Sequence, residues 1–102
     1  MTTVQVDTTF LLAATNLEMT KANKATNELN RLASVGYLNS QTGLDTAEEV
    51  KMHLAKAHAL LDKIDTPETN ATKAGIEATI AAQNMIIERI KFSMKLKEMG
   101  LA

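Results

Sequence analysis

The chain of 102 residues has no cysteine and no tryptophan, one proline, and only three aromatic residues, Phe10, Phe92 and Tyr37. Without cysteine there is no disulfide framework, and nothing points to an oxidising compartment. With so few aromatics, a core must be filled by Leu, Ile, Ala and Met. Alanine lets helices approach closely and methionine fills irregular gaps. Charge of one sign is also missing: 11 basic and 12 acidic residues give a net charge of −1 and a pI near 6.1. A near-neutral chain offers no dedicated surface for DNA or anionic lipid. The longest apolar runs, such as Phe10 to Ala14, fall far short of the ~20 residues of a membrane span. No charged segment precedes an apolar run near Met1, so no secretion signal is read there. Asn70-Ala71-Thr72, which matches a glycosylation acceptor, is accordingly read as chance.

What is present is helical periodicity. No alternating apolar/polar run is long enough for a sheet, and only Thr2 to Val6 could form a short strand. The pattern predicts an all-α fold in one domain, 1–102. Three helices are expected at about 7–35, 46–64 and 67–98, as an antiparallel hairpin with the N-terminal helix laid against it. In the first helix Asp7 or Thr8 is the cap. Its apolar arc is Phe10, Leu11, Ala14, Leu17, Ala22, Ala25, Leu29, Leu32 and Ala33. Residues 35–44 read as a loop punctuated by Gly36, Asn39-Ser40 and Gly43, with Tyr37 and Leu38 folding back on the bundle end. Asp45 with Glu48 has the spacing of a capping box for the second helix. Ala47, Val50, Leu54, Ala57, Leu61 and Ile64 form its heptad-like seam.

The third helix organises the rest. Thr66 suits an N-cap, Pro67 the first helical position and Gly100 the residue beyond the end. At ~100° per residue, Ala74, Ala78, Ala81, Ala82, Met85, Phe92, Leu96 and Met99 fall on one side, and Ile76, Ile80, Ile87, Ile90 and Met94 on the other. A helix apolar on two sides is expected to be covered on most of its circumference. Yet this helix would span roughly 48 Å and the second only roughly 28 Å, at ~1.5 Å per residue. The overlong third helix therefore predicts an apolar overhang at Ile90, Phe92, Met94, Leu96, Met99 and Leu101, and the first helix one at Phe10, Leu11, Leu12 and Leu17. Two such ends predict a homo-oligomer, or a docked partner protein.

Glu18 and Arg89 are charges within apolar rows. Each is expected to carry its charge out to water along its stem, or the two to pair between subunits. The candidate interface is thus Phe10, Leu11, Leu17, Glu18, Met85, Arg89, Ile90, Phe92, Met94, Leu96 and Met99.

No constellation for chemistry emerges. His53 and His58 lie five residues apart, ~140° around a helix, and cannot clasp one metal. Glu49–His53 and His58–Asp62 read as local surface pairs. Glu48-Glu49 reads as a helix-start charge pair, the serines lack a nucleophile elbow, and the four glycines form no phosphate cradle. Residues 29–54 could suggest a helix-turn-helix, but the turn is too long and the second helix opens acidic. Arg89, Lys91, Lys95 and Lys97 complement a helix C-terminus. The expectation is a non-enzymatic helical assembly or adaptor protein, without cofactor or metal, intracellular or built into a particle. A viral or mobile-element accessory protein would fit that size. The alternative is a small regulator that binds another protein or a nucleic acid, with nucleic acid the less expected partner.

Overall fold

The computed structural model describes residues 7–101, so the possible strand at Thr2 to Val6 lies outside the described residues. Among the described residues there is no strand. The elements are α1 (Thr8–Ser34), α2 (Gln41–Leu61) and α3 (Pro67–Glu98). The expected all-α fold is found, with helices joined by short connections and alternating in direction.

The ends follow from local chemistry. Asp7 caps α1, its carboxylate accepting from the Thr9 amide at 2.9 Å. At the other end Gly36 takes φ 82°, and the Tyr37 and Gly36 amides turn back onto the Leu32 and Ala33 carbonyls. This is a Schellman closure, and the left-handed residue in it favours glycine. Gly100, with φ 72°, closes α3 in the same way, its chain bonding back to Leu96 and Lys97. α3 starts at a reciprocal capping box in which Thr66 and Thr69 each accept from the other's amide, with Pro67 in the first turn.

α2 departs from expectation. It begins five residues before 46, because Ser40 caps it by accepting from the Gly43 amide at 3.1 Å. Asp45, the expected cap, instead sits inside the helix and accepts from the Gln41 side chain at 2.8 Å. Gly43 is not loop punctuation either. A Cβ there would lie 1.8 Å from the Leu38 carbonyl oxygen, so the loop backbone occupies the place of a side chain. α2 ends at Leu61 rather than at 64, although Ile64 stays buried beyond it. Of the two expected pins in the loop, Leu38 packs against the core while Tyr37 is exposed.

α2 is the middle element. α1 and α3 both pack on it and make no close backbone approach to each other. Its seam Ala47, Val50, Leu54, Ala57 and Leu61 is buried throughout, and so serves both neighbours. Leu11, Ala22 and Ala25 meet it from α1 and Ile76 from α3 in one cluster; Leu29, Ile87 and Ile90 gather around Ala47 in another. The layered arrangement is long and thin, 66 × 22 × 19 Å, with a radius of gyration of 17.0 Å. A compact chain of this length would have about 13 Å. The accessible surface is correspondingly large, 6914 Å², against about 5,700 Å² for a globular monomer of 11.1 kDa. A rod of this kind has a core on one side of each outer helix only.

Candidate interaction surface

α3 carries the surface of interest because it has one neighbour and two apolar faces. The face toward α2 holds Ile76, Gln83, Ile87 and Ile90, all buried, with Ile80 and Met94 half-buried beside them. The single polar member, Gln83, reaches across and donates to the Ala47 carbonyl at 3.0 Å. That contact satisfies a group whose burial would otherwise be costly.

The face turned away from α2 is uncovered. Ala74, Ala78, Ala81, Ala82, Met85, Arg89, Phe92 and Met99 are exposed, and Leu96 is half-buried. Met85, Phe92 and Met99 retain 67%, 64% and 59% of their surface. The expectation that α3 would be covered on most sides is therefore corrected: α1 lies across α2 and never reaches it. From Ala78 the row runs Ala78, Ala82, Met85, Arg89, Phe92, Leu96, Met99, alternating steps of four and three. That is the spacing of a coiled-coil seam, here without a second helix.

The overhangs are shorter than anticipated. Ile90 is 1% exposed and Leu11 3%, so both belong to the core and not to an interface. The earlier start of α2 covers Ile90, and the 62–66 connection with Ile64 extends the cover over Leu11. Met94 is half-buried, packed with Leu38 and Leu44, and the Lys97 ammonium donates to the Asn39 carbonyl at 3.2 Å. At the start of α1, Phe10 and Leu17 do face outward.

The charges also sort differently from the sequence reading. Glu18 pairs within the chain: His53 Nδ1 lies 2.7 Å from its Oε1, joining α1 to α2. A carboxylate only accepts, so Nδ1 carries the proton. This hydrogen bond holds the Glu18 carboxyl below its ordinary value, against the partial burial that pushes it up, and Lys21 at 3.7 Å assists. His53 is buried rather than a surface residue, and its second nitrogen is 3.8 Å from Glu49. His58 does the equivalent on the other flank, bonding Glu77 of α3 at 2.7 Å with Asp62 at 3.4 Å. The Lys73 ammonium, 3.1 Å from Asp62, lowers that carboxyl first, and His58 contributes. The two histidines are thus cross-helix ties. The sequence carried a signal for the first: α1 and α2 joined near residue 37 bring 18 and 53 to similar heights.

Arg89 has no carboxylate within ion-pair distance among the described residues, and neighbouring Glu88 has only Lys91, at 3.8 Å. Among the described residues no three His, Asp or Glu side chains gather as a metal would require. No helix among them is long and apolar enough to cross a membrane. In comparisons with known proteins, the chain matches no family model, no curated protein and no solved structure.

Proposed function

We propose that the protein is a non-enzymatic assembly or adaptor module whose working part is the outward face of α3. One observation carries this reading: a row with coiled-coil spacing, apolar except at Arg89, runs from Ala78 to Met99 on the side of α3 turned away from α2, its one neighbour among the described residues, and is exposed except at half-buried Leu96. A monomer leaves small apolar patches exposed, but a continuous stripe along a helix calls for a partner. Further support comes from the side chains best suited to chemistry, His53 and His58, which are committed to holding helices together.

The test compares the full chain with Phe92→Glu by light scattering and circular dichroism. The wild type is expected to run larger than one 11.1 kDa chain. The variant is expected to run as a single chain with unchanged helicity, since Phe92 contributes little to the folded core. An oligomer of the same size in both proteins would remove the α3 face from this role.

A further inference from the structure

We infer that the occupant of the α3 face is a second copy of the same helix, running antiparallel, with a two-fold axis between Glu88 and Arg89. This rests on the reading of that face as the working surface and adds the partner, its direction and its register.

The sequence of the seam is the argument. It is small at one end, with Ala74, Ala78, Ala81 and Ala82, and large at the other, with Phe92, Leu96 and Met99. A two-fold axis between residues 88 and 89 places each residue opposite the one equally far on the other side. Ala78 then faces Met99 of the second copy, Met85 faces Phe92, Leu96 faces Ala81 at the edge of the row, and Ala82 faces Lys95. Each large apolar side chain of the row meets a small one or a flexible one. In a parallel pair the same layers would set alanine against alanine and Phe92 against Phe92, leaving voids at one end and crowding at the other.

Charge selects the same arrangement. Arg89 is the one charge in the row and lacks a partner within the described chain; Glu88 beside it is nearly as free. The antiparallel axis brings Glu88 of each copy to Arg89 of the other, two reciprocal pairs at the centre of the contact. A parallel pair would put Arg89 against Arg89, a like-charge layer. The contact row is also long enough: Ala78 to Met99 spans roughly 32 Å. The rod carries about 1,200 Å² more surface than a globular monomer of its mass, and a standard interface removes about 800 Å² per partner.

The experiment uses the full chain. In sedimentation across micromolar to millimolar concentration the wild type is expected to be a dimer. Glu88→Arg and Arg89→Glu, each alone, are expected to weaken dimerisation at least about tenfold. An equimolar mixture of the two variants, and the double variant E88R/R89E, regain wild-type affinity within about threefold, because opposite charges again face one another. Direction is read independently, since the chain has no cysteine of its own. Met85→Cys mixed with Phe92→Cys is expected to give the crosslinked heterodimer under mild oxidation, with little crosslinking of either variant alone. All the substituted side chains are exposed, so retained melting temperatures are expected and checked.

A parallel pair, shown by each cysteine variant crosslinking to itself, overturns this inference but leaves the α3 face as an assembly surface. A dimer that ignores the charge swaps and dissolves on Phe10→Glu overturns both readings, because it moves assembly to α1. A wild type that stays monomeric throughout overturns the self-pairing outright; the preceding reading would then survive only if a different protein binds wild type and fails to bind Phe92→Glu.

Discussion

Glu18 of α1 and His53 of α2 meet at 2.7 Å with both side chains largely withdrawn from solvent. Because the tie holds the carboxyl below its ordinary value of 4.5, the folded state favours the ionised form. The stability this adds is present above the unfolded value and is lost as pH falls through the lower, folded value. Glu18→Gln is expected to lower the melting temperature at neutral pH and to flatten the acid limb of stability as pH falls through and below 4.5. Thermal melts of both proteins across that range check it; parallel acid limbs would show that other carboxylates set the dependence.

Gly43 stands against the Leu38 carbonyl, and a Cβ at 1.8 Å from that oxygen cannot be met by rotating a side chain. Gly43→Ala is expected to destabilise by roughly 1–3 kcal/mol despite the higher helix propensity of alanine. Urea unfolding measures it. A stabilised variant would mean that the 35–40 connection yields at no cost.

Ile90 and Phe92 are two residues apart and on opposite sides of α3. Ile90→Ala should cost about 2–5 kcal/mol, the range for emptying a packed site. Phe92→Ala should leave monomer stability within about 0.5 kcal/mol, because its ring is already in water. Denaturant melts under dilute conditions separate the two, and comparable losses would show that Phe92 is packed in solution.

Thr66 supplies half of the capping box at the α2–α3 corner. Its hydroxyl accepts from the Thr69 amide at 3.1 Å. Thr66→Ala is expected to cost about 1 kcal/mol, and Thr66→Ser almost nothing. Amide exchange in the first turn of α3 should rise in the alanine variant alone.

The chain shows where sequence reading succeeds. α3 was legible at both ends because Thr66-Pro67 and Gly100 are local signals that need no tertiary context, and the buried seam of α2 was legible from its periodicity. The start of α2 was not. Two caps competed, and the choice of Ser40 over Asp45 depends on Gly43 packing against the loop, a contact between backbone atoms that no pattern of side chains encodes. The same shift explains Ile90, whose burial follows from a longer neighbour. On the candidate surface, Met85, Arg89, Phe92 and Met99 lie where periodicity put them, whereas Glu18 left the group once its partner proved to be on the next helix. Which of the two apolar faces of α3 would be covered was not readable, since both were long enough.

With α2 between them, α1 and α3 make no close backbone approach to each other, and each keeps an exposed side of its own. Substitutions on the two sides share no packing partner, so their energetic effects should sum.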